Sequence, residues 1–244
     1  MKRFAMLVGA GNIAGHGKLP GVAIDVDNIE RFLRSPAGGV WSPTEIVRRE
    51  ALTAVDLEAL RVRASEADCT FTFFAGHGSY DTVRKTTVLA AGPRYDIPVW
   101  ELNSRAGRQV IVVDACRVVE RALLLDSIKI AKMLKAVDPQ YEAFCRQAFD
   151  VAMMNSDPGI TTVYSCGIGE TAGEDGQIGG YFTNALIDIA NEWNESNRTK
   201  PTAQVAAFRA LLEPVSVRLR ARRANQTPVL EEGRRLASAP FAVA

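Results

Sequence analysis

Short apolar runs alternate with longer amphipathic stretches along most of the 244-residue chain. Six of the short runs have the length and composition of strands, and they span residues 3–8, 45–49, 68–76, 109–113, 161–165 and 240–244. The clearest is QVIVV at 109–113, because a continuous β-branched run is typical of a strand buried on both faces. The last run is expected to close the sheet.

Between these strands, apolar residues spaced by three and four predict helices. The predicted helices span residues 25–34, 53–66, 118–154, 181–193 and 202–223. Thr53 is the expected N-cap of the second helix, Pro139 is expected to divide the third, and Pro214 to kink the last. Strands that alternate with helices indicate an α/β fold with a mostly parallel sheet covered on both faces, which binds ligands beyond the carboxyl ends of its strands.

Composition excludes several functional classes. The chain is 47% hydrophobic and 23% charged with a net charge of +1, so neither nucleic acid nor an anionic membrane is an expected partner. The basic cluster RLRARR at 218–223 is expected to be a solvated helix end. No apolar run approaches the ~20 residues of a membrane span, and the short run FAMLV fits a buried strand better than a signal peptide.

Four cysteines and two histidines are the thiols and imidazoles available for chemistry. Because no CxxC pattern occurs, a zinc site lacks its usual ligand spacing, and we predict no metal site. Four cysteines are also too sparse for a disulfide scaffold. We therefore expect a reduced, cytoplasmic protein.

A glycine-rich segment, GAGNIA at 9–14, follows the first strand and matches a dinucleotide-binding fingerprint. In that motif the glycines open a helix whose N-terminus receives the pyrophosphate. Here GHGKLPG follows, which predicts a loop, and Asp25 and Asp27 begin a helix instead of ending a second strand. A Walker A loop is absent as well, because Lys18 is followed by leucine. The sequence therefore disfavours nucleotide binding.

Two predicted strands end in residues capable of nucleophilic chemistry. FFAGHGS places His77 between two glycines, and VVDACR places Cys116 two residues after Asp114. If the strands are neighbours, their axes lie ~4.8 Å apart, so side chains beyond their ends can approach each other. An imidazole can stabilise a thiolate and then protonate a leaving amine. The pattern predicts His77 and Cys116 as a catalytic pair.

The glycine after the histidine has a predicted role of its own. The backbone N–H groups of Gly78 and of the nucleophile itself can form an oxyanion hole. A cysteine or a histidine alone is more often structural, and it is their occurrence together at strand ends that favours catalysis. Cys69 and Cys145 are expected to be structural, Cys166 is left open, and His16 is the one competing histidine base.

Several segments, in this order, resemble the caspase/metacaspase superfamily of cysteine peptidases over nearly the whole chain. They are LVGAGNIAGHGKLPGVAIDVDNIERFL at 7–33, FTFFAGHGS, VIVVDACR, VYSCGIGETAGED at 163–175, GGYFTNALI at 179–187 and QTPVL at 226–230. The resemblance implies one domain over residues 1–244: a caspase-like three-layer sandwich with a mostly parallel sheet of about six strands flanked by helices. It implies the dyad of His77 and Cys116, acting through an acyl-enzyme, with Gly78 and Cys116 as the oxyanion hole.

The resemblance also implies a substrate pocket. Caspases build this pocket from arginines, whereas metacaspases and related bacterial proteases carry an aspartate two residues before the cysteine, here Asp114. By the same resemblance Asp25 and Glu174 are the second and third pocket acids. Paired carboxylates bind a guanidinium, so cleavage after Arg, or Lys, is implied. Asp25 is equally suited to cap the helix predicted at 25–34, and both interpretations stay open.

The chain departs from the family pattern after the nucleophile. Metacaspases often continue with H-S-G, whereas Arg117 and two valines follow here. Residues 118–155 occupy the place of the linker that caspases cut during activation, and we predict a helical insertion or activation segment. Its basic residues are candidate self-cleavage points: Lys129, Lys132, Lys135 and Arg146.

No cofactor is required by the sequence. Calcium dependence is common among metacaspases, but no loop resembles an EF-hand, so activation by Ca²⁺ is unsupported. The main expectation is a regulated endopeptidase, which family resemblance links to bacterial stress, cell-death or phage-defence systems, with a regulatory protein partner. The alternative is a catalytically silent caspase-fold protein that binds partners. The oligomeric state stays open.

Overall fold

A computed structural model describes residues 1–119, 138–222 and 224–244. The strands are β1 (Arg3–Ala10), β2 (Ile46–Arg49), β3 (Cys69–Gly76), β4 (Gly78–Asp81), β5 (Thr86–Gly92), β6 (Tyr95–Pro98), β7 (Arg108–Asp114), β8 (Gly159–Tyr164), β9 (Glu174–Asp175), β10 (Gly179–Gly180), β11 (Val205–Ala207), β12 (Val229–Glu231) and β13 (Pro240–Val243). The α-helices are α1 (Gly21–Arg34), α2 (Ala54–Ser65), α3 (Pro139–Asn155), α4 (Tyr181–Asn197) and α5 (Phe208–Ala221).

Six strands form the central sheet in the order β12-β8-β7-β3-β1-β2. All neighbouring pairs are parallel except β12 with β8. The mostly parallel, six-stranded sheet predicted from the sequence is therefore confirmed. Strands β1, β3 and β7 lie inside it and are buried along almost their whole length, which explains their near-continuous apolar sequences.

Each face of the sheet carries a hydrophobic layer. Alternate residues of one strand belong to different layers: Phe73 packs on one face and Phe74 on the other. The first face is covered by α1, α3, α4 and α5, and the second by α2 with β5 and β6. This is the three-layer sandwich that the resemblance implied. Within the described residues, no helix is long and apolar enough to cross a membrane.

The starts of helices α1 and α3 differ from the prediction. Helix α1 begins at Gly21 with Pro20 as its N-cap, four residues earlier than expected, so Asp25 lies in the second turn and does not cap the helix. Helix α3 begins at Pro139, and the Asp138 carboxylate accepts the Gln140 N–H as its cap. Proline therefore starts a helix here instead of dividing one, since its missing N–H costs nothing in the first turn. Residues 118 and 119 are not helical, and the rest of that prediction, 120–137, lies outside the described residues.

The C-terminal part was predicted less well. Residues 205–207 form β11, which pairs antiparallel with β13, so α5 begins at Phe208 and not at 202. The expectation that residues 240–244 close the central sheet was wrong, because β12 is the strand that extends it. Thr53 caps α2 as predicted, in a reciprocal pair with Asp56. The small antiparallel sheet of β4, β5 and β6 was not predicted.

Candidate active site

The two predicted catalytic residues follow neighbouring strands. Strands β3 and β7 pair in parallel, and their register ends with Ala75 opposite Asp114. His77 and Cys116 each lie two residues beyond this last pair, so both leave the same edge of the sheet side by side. The adjacency of the two strands, which the dyad required, is what the structure provides.

Glycines on both sides of His77 permit a close approach of the two chains. A Cβ on Gly78 would lie 2.8 Å from the Cys116 carbonyl oxygen and 3.0 Å from the Ala115 Cβ. Gly76 has φ of +155°, and a Cβ there would lie 2.9 Å from the Ala10 carbonyl oxygen. A side chain at either position would separate the histidine loop from its neighbours.

The unpredicted hairpin holds the histidine loop from the other side. Gly78 opens β4 and pairs with Leu89 of β5, and the His77 carbonyl accepts the Ala90 N–H at 3.0 Å. The backbone on either side of the imidazole is thereby fixed by hydrogen bonds to β5. Its side chain is left partly exposed at the sheet edge.

The tautomer of His77 follows from one contact. Its Nε2 lies 2.6 Å from the Gly17 carbonyl oxygen, in the glycine-rich loop after β1. A carbonyl can only accept, so Nε2 carries the hydrogen and, in the neutral ring, Nδ1 has the free lone pair. Nδ1 is therefore the atom that can take a proton. The sequence did not reveal Gly17, because a backbone carbonyl has no residue signature.

The Cys116 thiol is partly buried and contacts the backbone of one residue, Ala172. Its Sγ lies 3.4 Å from the Ala172 nitrogen and 3.7 Å from the Ala172 oxygen. Burial raises the pKa of the Cys116 thiol, the Ala172 N–H counters this, and the Asp114 charge adds to the increase. The resting thiol is consequently protonated, and forming the thiolate needs a base. Ala172 too was invisible from the sequence, since it contributes only backbone.

The remaining cysteines are buried free thiols. Burial raises the pKa of Cys69 and of Cys166 to about 12 in each case. Cys166, left open by the sequence, lies near the site, with its Sγ 3.4 Å from the Ala115 oxygen and 3.5 Å from the Glu170 oxygen. Its contacts are those of a packed structural thiol.

Three acids converge beside the dyad, around two glycines. A Cβ on Gly180 would overlap Oδ2 of Asp114 and lie 3.0 Å from Oδ2 of Asp25. A Cβ on Gly21 would lie 2.9 Å from Oε2 of Glu174. The structure therefore brings together the three acids that the resemblance singled out, from α1, β7 and β9.

Backbone and hydroxyl donors orient these carboxyls. The Gly180 N–H donates to both oxygens of Asp25, at 2.7 and 2.9 Å. Thr183 donates to Oδ2 of Asp114 through its hydroxyl at 2.6 Å and its N–H at 3.3 Å. Both donors lie at the N-terminus of α4, where unpaired N–H groups favour anions.

Within the described residues, the cluster has no compensating cation. Asp25 and Asp114 are only 2% and 7% exposed, and no Lys or Arg of the described chain forms a salt bridge with any of the three acids. Burial and the Asp114 charge hold the pKa of Asp25 well above its usual value, and burial also raises the pKa of Asp114. Burial raises the pKa of Glu174 to about 7. Buried acids of this kind are stabilised by a cation brought from outside.

The loop between β8 and β9 carries Ala172 and leads directly into Glu174 of β9, and it is tied to the C-terminal segment. Gln226 donates to the Ser165 carbonyl at 3.1 Å and accepts the Gly173 N–H at 3.0 Å. The QTPVL segment thus contributes an anchor for this loop, with its glutamine buried.

Arg117, where the chain departs from the family pattern, is buried beside the same loop. Its guanidinium lies 3.9 Å from the centroid of the Tyr164 ring and donates to Thr87 Oγ1 at 2.9 Å. Its backbone N–H donates to the Glu170 carbonyl at 3.0 Å. Arg117 therefore joins the segment after β7 to β5, to β8 and to the loop between β8 and β9. In the part of the chain that the structure describes, no cluster of three or more potential ligands fits a metal ion.

Comparison with known proteins agrees with the fold and the order of these elements. A family model described as the caspase domain matches residues 2–236. The crystal structure of caspase-1 from Spodoptera frugiperda superposes with a TM-score of 0.61 at 14% identity, over 96% of this chain and 90% of that chain. No curated protein matches the chain in sequence. At 14% identity the structural similarity shows a shared fold only, and the assignment of the chain to a family rests on the family model.

Proposed function

The chain belongs to the caspase-domain family, and from this premise we propose that it is a cysteine endopeptidase that cleaves proteins after arginine or lysine. One observation carries the proposal: the strand ends that bear His77 and Cys116 adjoin a buried acid cluster that forms no salt bridge with a Lys or Arg of residues 1–119, 138–222 and 224–244. The dyad supplies the reaction class. The cluster supplies the specificity.

The chemistry follows from the positions of the groups. Nδ1 of His77 takes the proton of the Cys116 thiol, and the thiolate attacks the substrate carbonyl carbon. The N–H groups of Gly78 and Cys116 donate to the oxyanion that forms. The imidazolium then protonates the amine as the C–N bond breaks, which leaves a thioester on Sγ. Water, deprotonated by the same imidazole, hydrolyses the thioester and restores the thiol.

The cluster suits a cationic side chain next to the scissile bond. Asp114 lies two residues before the nucleophile, so the side chain of an acyl group on Sγ is within reach of the acids. Burial disfavours the charged form of these carboxyls. A bound guanidinium or ammonium offsets this effect, because its positive charge lowers the pKa of each neighbouring carboxyl. An aspartate in this place would add another carboxylate to a cluster in which burial already disfavours negative charge, so we expect no cleavage after Asp.

The alternative function is a caspase-fold protein that binds partners without catalysis. The observation that favours it is the contact between the Cys116 thiol and the backbone N–H and C=O of Ala172, which cover the nucleophile in this conformation. A protease must move this loop to admit substrate, whereas a binding protein need not.

Hydrolysis of fluorogenic peptides separates these functions. Matched peptides with Arg, Lys, Gln or Asp before the scissile bond are compared for the wild type, Cys116→Ala and Cys166→Ala, with and without calcium. We expect hydrolysis of the Arg and Lys peptides that is lost in Cys116→Ala and kept in the buried-thiol control. Preference for the Asp peptide would contradict the pocket, and equal rates in Cys116→Ala would contradict the nucleophile. No hydrolysis by any form would favour the binding protein.

Activation by self-cleavage is part of the proposal. Of the four candidate points, Arg146 lies inside α3 and its guanidinium is bound to Glu45 and the Val40 carbonyl, so it is a poor site. The three lysines lie outside the described residues. Mass spectrometry of the active enzyme is the test: an intact chain with full activity would reject cleavage as a requirement.

The cellular setting is proposed from family membership alone. We propose a cytoplasmic protease under the control of a regulatory protein, in a stress, cell-death or antiviral defence system, with no need for a cofactor. We expect the enzyme to keep its peptidase activity when calcium is removed by excess chelator. Loss of activity that calcium restores would contradict it.

A further inference from the structure

The only two histidines of the chain lie against each other. The ring centroids of His16 and His77 are 4.9 Å apart with an interplanar angle of 26°, which is a stacked arrangement. Both belong to segments that the sequence set apart for other reasons, His16 to the glycine-rich loop and His77 to the proposed dyad. The sequence disfavours nucleotide binding as the role of the glycine-rich loop, and the stacking indicates a different role.

The loop presents His16 and its neighbour together. The Leu19 N–H donates to the Gly11 carbonyl at 2.8 Å and closes the loop at its base, and the His16 N–H donates to the Ile13 carbonyl at 3.1 Å. Gly15, with φ of +91°, turns the chain between them. The face of the His77 imidazole thereby contacts the His16 ring. At the edge of the same imidazole, Nε2 contacts the carbonyl of Gly17, the residue after His16.

We propose that His16 is a positioning residue that holds the plane of the His77 imidazole so that Nδ1 addresses Cys116. The inference rests on the proposed function. His77 is partly exposed and flanked by glycines, so its own neighbours in the chain do not restrict its side chain. One hydrogen bond to Gly17 fixes an edge but permits rotation about the bond axis. Packing on the ring face removes that freedom, and proton transfer depends on the orientation.

The two rings are not placed to exchange a proton with each other. Their planes are inclined by 26°, so the lone pairs and hydrogens of the His16 nitrogens do not point at the His77 ring. What the contact supplies is ring packing, and a phenyl group supplies the same. This distinguishes a positioning role from an acid–base role by substitution.

The kinetic test compares His16→Ala with His16→Phe on an Arg peptide. We expect His16→Ala to lower kcat about ten-fold, the size of a lost aromatic contact, with KM unchanged. His16→Phe keeps the packing, and we expect kcat within about two-fold of the wild type. An unchanged kcat in His16→Ala, or an equal loss in both variants, would overturn the proposal.

A second readout does not depend on turnover. With two imidazoles in the chain, ¹⁵N NMR of His16→Phe contains the signals of His77 alone, and we expect the Nε2–H tautomer, as in the wild type. In His16→Ala we expect averaging towards a mixture of tautomers. The same single tautomer in both variants would overturn the positioning role even if no peptide is cleaved, so failure of this inference and failure of the proposed protease activity are distinguishable.

Discussion

The acid cluster contributes to folding stability with a pH dependence opposite in sign to that of a salt-bridged carboxylate. The pKa of Glu174 is raised from 4.5 to about 7 by burial and by the charges of Asp114 and Asp175. Such an increase corresponds to about 3 kcal/mol if solvent played no part, and we expect about 1 kcal/mol because the side chain is half-buried and water screens it. Glu174→Gln removes the charge and keeps an oxygen that can accept the Gly21 N–H.

The sign follows from proton binding. A carboxyl with a raised pKa holds its proton more tightly in the folded state, so its contribution is fully present below pH 4.5 and is lost as pH rises through about 7. Between pH 5 and pH 8 the free energy of unfolding of the parent therefore falls by about 1 kcal/mol, whereas Glu174→Gln does not show this decrease. The variant is expected to be the more stable form at pH 8.

Urea denaturation measures this difference. The background is Cys116→Ala, which prevents self-digestion, and the matched control is Glu50→Gln at an exposed glutamate. The free energies of unfolding are compared at pH 5 and pH 8 for parent, variant and control. If Glu174→Gln is no more stable than its parent at pH 8, or if the control gains as much, the argument for an uncompensated buried cluster is refuted.

Three further substitutions test the surroundings of the site. Gly180→Ala drives a methyl group into the Asp114 carboxylate, so kcat/KM for an Arg peptide should fall about ten-fold while circular dichroism stays native; unchanged kinetics would contradict the cluster geometry. Gln226→Ala leaves the Ser165 carbonyl without its donor, and we expect urea denaturation to show a loss of about 1–3 kcal/mol, whereas no loss would mean that the anchor is dispensable. Arg117→Met removes a buried guanidinium that stacks on the Tyr164 ring, and it should lower the free energy of unfolding by about 3 kcal/mol. Arg117→Lys lacks the planar fork and should not restore this stability; full rescue would show that charge alone matters.

The central sheet was predictable because burial leaves a direct mark on the sequence. Strands β1, β3 and β7 are buried on both faces, and their sequences are mostly apolar. The hairpin of β4–β6 escaped prediction because its first strand, GSYD, is short, only partly buried and without a hydrophobic alternation. Val205–Ala207 was assigned to a helix because its apolar spacing continues that of α5, and only the partner strand β13 distinguishes the two.

For the candidate site, the sequence pointed to side chains and did not reveal backbone groups. His77 and Cys116 were predicted from residue type and position, and the three acids were implied by the family resemblance. The Gly17 carbonyl and the Ala172 N–H, which set the tautomer and contact the thiol, depend on chain folding alone. Asp25 remained ambiguous until the start of α1 was known, because a helix boundary decides between a cap and an inward-facing acid.

The most direct test of the dyad and its pocket is covalent labelling read by mass spectrometry. A peptidyl chloromethyl ketone with Arg at the reacting position is compared with the same compound carrying Asp, on the wild type, Cys116→Ala and His77→Ala. We expect one adduct on Cys116 with the Arg compound, none in Cys116→Ala, slow labelling in His77→Ala and no adduct with the Asp compound. An adduct on another residue, or equal labelling by both compounds, would contradict the proposed dyad and pocket.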